Sequence, residues 1–182
     1  MKSITRTKIY LPIAALMLTA SLANSAAAQT SCGGLAPGCF KGIFQGLDAH
    51  DVLPPGATSV VIRTNATGTG THLGAFSLRR EVTGSLVNFS DAGSAQWIAA
   101  NRDIIYTTVV GQAELSDLPG GFLKVTEIHT ITGGTGRFTG AQGSFTVELY
   151  HKLDASGVTG GVETHDIFGS FHGTITLPGA AH

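Results

Sequence analysis

The sequence contains little proline, little cysteine and few charged residues, and each shortage argues against a class of protein. Among 182 residues there are six prolines, two cysteines and 13% charged residues. Two cysteines are too few for a disulfide-rich scaffold. Without clusters of basic residues, the chain lacks an electrostatic surface for nucleic acid or for an anionic membrane. Beyond the N-terminal segment no stretch combines a helical period with capping residues, so a helical domain is not expected.

The N-terminal segment has the three parts of a signal peptide. Three basic residues lie within the first eight, an apolar run follows from Ile9 to Leu22, and small residues from Ser25 to Ala28 offer a cleavage site. A lipoprotein anchor at Cys32 would need an apolar residue three places earlier, where Gln29 stands. We therefore predict that residues 1–28 are removed and that the protein is secreted or periplasmic, without a membrane anchor.

Removal of residues 1–28 leaves about 154 residues, which suit a single domain. Eight Lys and Arg then face 12 Asp and Glu, a net charge of −4. All 25 glycines lie in this part of the chain, well above average usage. Such a glycine content, together with many Thr and Val, predicts short strands joined by tight turns.

The two cysteines, Cys32 and Cys39, lie close together in an N-terminal arm, residues 29–57, that also holds the first strand. In an oxidising compartment such a pair favours a structural disulfide. A metal site would need two further ligands nearby, and a redox pair favours a two-residue spacing.

Nine β-rich runs follow, separated by glycine- or proline-containing turns. They are Phe40–Asp51, Thr58–Thr67, Thr71–Thr83, Ser85–Phe89, Ala95–Ala99, Ile104–Leu115, Phe122–Ile131, Gln142–Lys152 and Gly160–Leu177. Proline is absent from 56–118 and from 120–177, so these runs can pair on both edges. Because antiparallel strands must hide their edges, we predict an all-β fold with a closed eight-stranded barrel over 58–177, a sandwich being second, and a C-terminal tail at 178–182.

A glycine-rich segment between the seventh and eighth runs is predicted to be a shaped connection between two strands. Its loop residues are Gly133, Gly134, Gly136, Arg137, Phe138 and Gly140. A phosphate-binding loop is not indicated, because neither a helix nor a Gly-Lys-Ser/Thr ending follows the glycines.

Three segments resemble a known family. Thr71–Phe76, Thr132–Gly143 and Phe168–Ile175 are similar to bacterial secreted relatives of the allene oxide cyclase barrel, and the Gly-Gly-Thr-Gly-basic-Phe core is similar to a loop of plant dirigent proteins. The resemblance implies a calycin-type barrel with a central cavity. The family includes cyclases of reactive lipid epoxides and scaffolds that steer radical coupling, but no motif assigns a catalytic residue.

Candidate reactive groups lie on strand faces whose direction the sequence leaves open. Glu127 and His129 share a face with Leu123, Val125 and Ile131. In a cavity wall they would form a proton shuttle. On the outer face they would only meet water, with Phe122 and Ile128 pointing inward.

Two later runs carry further candidates. Glu148 and Tyr150 lie opposite the apolar face of the run Gln142–Lys152 and are either lumenal or solvated. In the last run His165 shares a face with Glu163, whereas Asp166 and His172 lie on the other face. Convergence of a metal site would need Glu127, His129 or His151 from neighbouring strands, so we predict neither a metal site nor a cofactor.

Two functional hypotheses follow. The preferred one is a secreted barrel that binds a small apolar ligand or serves as an extracellular structural module, with an apolar interior and its carboxylates and imidazoles outside. The alternative is a cyclase or isomerase that steers a reactive lipid or polyene. That alternative requires at least one of Glu127, Glu148, Tyr150 or His165 inside the barrel with a perturbed pKa. A homo-oligomer through an outer sheet face is neither supported nor excluded.

Overall fold

A computed structural model describes residues 38–178, and this part of the chain is almost entirely β-structure. The strands are β1 (Cys39–Asp51), β2 (Ser59–Gly70), β3 (Gly74–Ser85), β4 (Ser90–Ala99), β5 (Ile104–Leu115), β6 (Phe122–Gly134), β7 (Gln142–Lys152), β8 (Gly157–Thr159) and β9 (Val162–Thr176). A single 3₁₀ turn, Gly136–Phe138, links β6 to β7. Within this range no helix is long and apolar enough to cross a membrane.

The predicted closed barrel is confirmed. Each strand pairs antiparallel with its neighbour from β1 to β7, β7 pairs with β9, and β9 pairs with β1 to close the cylinder. The short β8 extends the sheet beside the start of β9. Strand β1, which the sequence assigns to the N-terminal arm, is a full member of the barrel and pairs with β9 along its whole length.

Several predictions concern residues outside the described range. These are the signal peptide, Cys32 and most of the C-terminal tail. Cys39 begins β1 and is buried. The disulfide between Cys32 and Cys39 therefore stays a prediction.

Two strand boundaries differ from the predicted ones. The glycines at 68 and 70 were expected to break the second run, but β2 continues to Gly70 and the turn comes at 71–73. A Cβ on Gly68 would lie 2.1 Å from the carbonyl oxygen of Ile43, so glycine here permits close packing of backbones within a strand. Of the two short runs predicted at 85–99, Ser85–Phe89 is the end of β3 and the turn that follows it, in which Phe89 has a φ of 59°, whereas Ala95–Ala99 belongs to β4.

The interior of the barrel is divided into an aromatic half and a polar half. Six rings occupy the axis at the end where β1 begins: Phe40, Phe44, Phe76, Trp97, Phe145 and Phe171. Their contacting centroids lie 4.8–6.1 Å apart, mostly edge to face. The central cavity that the resemblance implies is therefore occupied by side chains in this half.

The glycine-rich connection between β6 and β7 closes the aromatic end. Phe138 is fully buried there. Gly136 has a φ of 53°, and a Cβ on it would lie 1.9 Å from Oδ1 of Asp103, so only glycine fits. The Arg137 backbone N–H donates to Asp103 Oδ2, and its guanidinium lies 4.8 Å from the centroid of the Phe138 ring. These contacts hold Phe138 in place as a plug.

Candidate functional site

The polar half of the barrel is built around Arg80 of β3, a buried residue that is only 4% exposed. Its Nε donates to Oε1 of Glu127 at 2.8 Å, and its Nη2 donates to the same oxygen. Nη1 donates to Thr64 Oγ1 at 2.8 Å, which donates in turn to Asp48 Oδ1 at 2.5 Å. Asp48 and Asp91 also face the guanidinium, at 3.8 and 3.6 Å. One cation thus lies among three carboxyl groups.

The sheet register brings two of these carboxyl groups together across a glycine. Gly111 of β5 pairs with Asp91 on one side and with Glu127 on the other. A Cβ on Gly111 would lie 2.5 Å from Asp91 Oδ1 and 2.7 Å from Glu127 Cγ. The missing side chain therefore provides the space into which both carboxyl groups extend.

The three carboxyl groups share one guanidinium, and their pKa values shift in different directions. Burial alone would raise the pKa of Glu127, but the charge of Arg80 and a hydrogen bond from His129 outweigh it and lower that pKa to about 2. For Asp48, burial is likewise outweighed by His151 and Arg80, so its pKa lies below the ordinary value. Burial and the negative charge of Glu127 raise the pKa of Asp91 to about 7. Asp91 is the carboxyl group left with the proton.

His129 extends the network towards the aromatic half. Its Nε2 lies 3.0 Å from Glu127 Oε2 and its Nδ1 lies 3.1 Å from Thr107 Oγ1. The ring also stacks on Phe145 at 5.1 Å and meets the edge of Trp97 at 5.5 Å. Burial lowers the pKa of His129 despite the neighbouring carboxylate. The imidazole is therefore neutral, donating to Glu127 and accepting from Thr107.

In the opposite direction a line of histidines leads from Asp48 to the barrel mouth, the end formed by the 52–58 and 153–161 connections. His151 donates from Nδ1 to Asp48 Oδ2 at 2.9 Å. Its ring stacks on His165 at 4.6 Å, and His165 stacks on His50 at 5.0 Å. Burial and the neighbouring His151 lower the pKa of His165.

At the mouth, His50 and His165 converge on Glu163. Their Nε2 atoms lie 3.9 and 3.8 Å from Glu163 Oε2. One potential metal-ligand atom from each of the three residues lies within 4.8 Å of the others. His50 Nδ1 is hydrogen-bonded to the carbonyl oxygen of Asp51, and His165 Nδ1 to that of Lys152, both at 2.9 Å. We call these three side chains the mouth cluster; two imidazoles and a carboxylate are groups that could hold a metal ion.

The structure divides the predicted candidates between the two sides of the barrel wall. Glu127, His129 and His165 face inward and are buried. Glu148 faces outward, with Oε1 at 3.3 Å from Lys124 Nζ, and Tyr150 faces outward against the Phe168 ring.

The preferred expectation of an apolar interior with all carboxylates and imidazoles outside is therefore wrong. The cause is Arg80, which compensates the buried carboxylates. The expectation that no metal-ligand set converges is also corrected, because β1, which was not considered as a source of ligands, contributes His50 opposite Glu163.

Sequence reasoning missed Arg80, Asp48 and His50, and it named His151 only as a possible metal ligand. A signal for Arg80 was present, since it lies between Leu78 and Val82 on the inward face of β3. The others depend on which strands become neighbours, and that information is not contained in any single run.

A separate groove of about 710 Å³ lies on the outer face of β1–β4. We call it the outer groove. Its lining is mainly apolar: Ile43 and Ile98 line it together with Arg102, and the interior side chains of Phe44 and Phe76 reach its floor next to Gly68. Arg102 is exposed and forms no ion pair with another residue of the 38–178 range. Within the part of the chain that the structure describes, the groove therefore combines an apolar surface with a positive charge that no ion pair neutralises.

Comparisons with known proteins yield a likeness of fold and no match of sequence. No family model matches the sequence, and no curated protein matches it. Among solved structures, a pterocarpan synthase dirigent protein is similar over 75% of this chain and 89% of its own, with a TM-score of 0.45 and 12% sequence identity. The relation to allene oxide cyclases and the bacterial, secreted origin stay predictions, and the chain's own residues carry the assignments that follow.

Proposed function

We propose that the protein binds a small, mainly apolar ligand with an anionic group, in the outer groove. The observation that carries this proposal is an apolar surface beside the guanidinium of Arg102, which forms no ion pair within residues 38–178. Ligand sites typically have volumes of ~300–1,000 Å³, apolar walls and a few polar groups that fix orientation. The outer groove, at about 710 Å³, meets each of these criteria.

The chemistry of the lining selects the ligand class. Ile43 is 65% exposed, so an apolar body laid on it would remove hydrocarbon surface from water. Polar groups at Gln45, Thr67 and Ser77 offer hydrogen bonds along the same wall. At the end marked by Arg102, a carboxylate or sulfonate would form a charge-assisted pair. A fatty acid or an aromatic acid satisfies these conditions.

Fluorescence titration with anilinonaphthalene sulfonate, competed with decanoate, tests the proposal. We expect saturable binding that Ile43→Asp and Arg102→Gln each weaken by about tenfold, the equivalent of ~1.4 kcal/mol. Val110→Asp is the matched control, because Val110 is 58% exposed on β5 and does not line the groove. Binding that is absent, or equally weakened by Val110→Asp, would leave the structural-module hypothesis. Sedimentation of the free protein tests the alternative that a second copy of the chain occupies the outer groove.

A cyclase or isomerase is the second candidate, and the placement of Glu127 and His165 inside the barrel with lowered pKa values favours it. Glu127 is fully buried and both of its oxygens accept hydrogen bonds, so a substrate would reach His165 first, from the mouth. Incubation with an unsaturated fatty-acid epoxide, with chromatography of the products, tests this candidate. Cyclised product that is lost in His165→Gln would support it, and equal product from both proteins would refute it.

A further inference from the structure

We propose that the mouth cluster binds a first-row divalent transition-metal ion through His50 Nε2, His165 Nε2 and the carboxylate of Glu163. The site shares only β1 with the outer groove and uses different residues of it, since the groove is lined by residues 43–45 and the proposed ligand is His50. Its ligands come from β1 and β9, which are neighbours in the closed barrel, and His50 pairs with Glu163 in the sheet register. The inference therefore goes beyond the proposed function and can succeed or fail on its own.

The spacing of the three groups is close to that of a metal site. Nitrogen and oxygen ligands lie about 2.0–2.2 Å from zinc, so two ligands of a tetrahedral site lie about 3.3–3.6 Å apart. The two Nε2–Oε2 distances are 3.9 and 3.8 Å. Binding requires these two distances to shorten by less than about one ångström, and the remaining pair to shorten from at most 4.8 Å. The Glu163 side chain is 31% exposed and has room to move.

The tautomers of both histidines are fixed in the state that a metal needs. A backbone carbonyl only accepts hydrogen bonds, so the Nδ1 atoms that face the Asp51 and Lys152 carbonyls must carry hydrogen. In a neutral imidazole this leaves the lone pair on Nε2, the atom directed at Glu163. A hydrogen bond from the second ring nitrogen to a carbonyl is the usual support for a metal-bound histidine.

A second observation points to an absent ligand. His165 is 5% exposed, and its Nε2 is buried without a hydrogen-bond partner among residues 38–178. Two imidazole lone pairs and a carboxylate, all acceptors, therefore converge. A buried acceptor left unsatisfied costs about 1–3 kcal/mol. A bound cation removes that cost and neutralises Glu163.

The ligand set indicates the class of metal. Imidazole suits zinc, copper, iron and nickel, whereas magnesium and calcium favour oxygen ligands alone. Three protein ligands leave a coordination position for water, and the partly exposed Glu163 places that position at the solvent side of the cluster.

Isothermal titration of chelator-treated, tag-free protein with zinc chloride tests the proposal, with cobalt(II) absorption as a report of coordination. We expect one zinc ion per chain and a tetrahedral or five-coordinate cobalt spectrum. Loss of a residue that only hydrogen-bonds to a metal ligand weakens metal binding by about 10–100-fold, so Glu163→Gln and His50→Gln, which remove ligands themselves, should each weaken it by at least about tenfold.

The matched control is His172→Gln, because His172 is an exposed histidine on the outer face of the same strand, β9. Zinc affinity should be unchanged in this variant. Glu163 is partly exposed, so its variant is expected to fold, and circular dichroism confirms that before titration. Absence of saturable binding, or equal loss in Glu163→Gln and His172→Gln, would overturn the proposal.

Discussion

Replacement of Arg80 by methionine tests whether one guanidinium compensates the carboxylates inside the barrel. Methionine fills part of the same volume but leaves Glu127 and Asp48 buried without their cation. Removal of one partner from a buried ion pair costs about 3–5 kcal/mol, because the remaining charge keeps its desolvation penalty. Domains are stable by only ~5–15 kcal/mol, so we expect a large fall in the urea midpoint at neutral pH.

The pH dependence of unfolding should also change direction. In the wild-type protein the pKa of Glu127 is lowered from 4.5 to about 2, so its contribution is present above 4.5 and is lost as pH falls towards 2. In Arg80→Met, burial is no longer opposed by the guanidinium, and neutral His129 supplies only a hydrogen bond. The pKa of Glu127 then rises above its unfolded value. Its contribution is present below the unfolded pKa and is lost as pH rises through the folded one, so the variant should recover stability on mild acidification.

Arg79→Met is the matched control, since Arg79 is the adjacent arginine and is exposed on the outer face of β3. Its free energy of unfolding should change by less than about 0.5 kcal/mol. The double variant Arg80→Met/Glu127→Leu should regain part of the loss, while Asp48 still lacks its cation. A single Arg80→Met variant with the wild-type midpoint and the wild-type pH slope would refute the reasoning.

Three further predictions concern single positions. Asp91→Asn should stabilise the protein more at pH 8.5 than at pH 5.5, because the raised pKa of Asp91 means that its ionised form is the disfavoured one; calorimetry at both pH values measures this, and the opposite order would contradict it. Gly111→Ala should lower the free energy of unfolding by denaturant by about 1–3 kcal/mol, because its Cβ would contact Asp91 and Glu127. Gly84→Ala should lower it by less, because its Cβ would meet nothing closer than 3.5 Å. Equal losses in the two variants would be inconsistent with the packing described. Phe138→Ala should lower the free energy of unfolding by about 3–5 kcal/mol, against little change for Val87→Ala at a 73% exposed position, and a similar small loss for both would show that Phe138 is not a plug.

The fold was largely predictable because β-strand periodicity survives in each run. The bounds of β5 and β7 match the sequence runs 104–115 and 142–152, where apolar and polar residues alternate between clear turns. The break expected at glycines 68–70 failed, because those glycines serve close strand packing rather than a turn.

The candidate site was predictable only in part. Glu127 and His129 were correctly placed on the face of Val125 and Ile131, but the sequence left open whether that face points inward or outward. Buried charge is unfavourable without a partner, and the partner, Arg80, lies 47 residues earlier in the chain. The mouth cluster depends on the pairing of β1 with β9, which local patterns do not encode.

The seam at which the barrel closes, the pairing of β1 with β9, has a consequence for how the molecule folds. Cys39 pairs with Thr174, so the cylinder cannot close until almost the last strand has been synthesised. Contacts this distant in sequence slow folding, because the chain entropy is lost before the contacts form. The mouth cluster straddles this seam, with His50 on one side and His165 on the other. Binding of zinc added during refolding would then measure the final pairing of β1 with β9, because the mouth cluster is assembled only in that step.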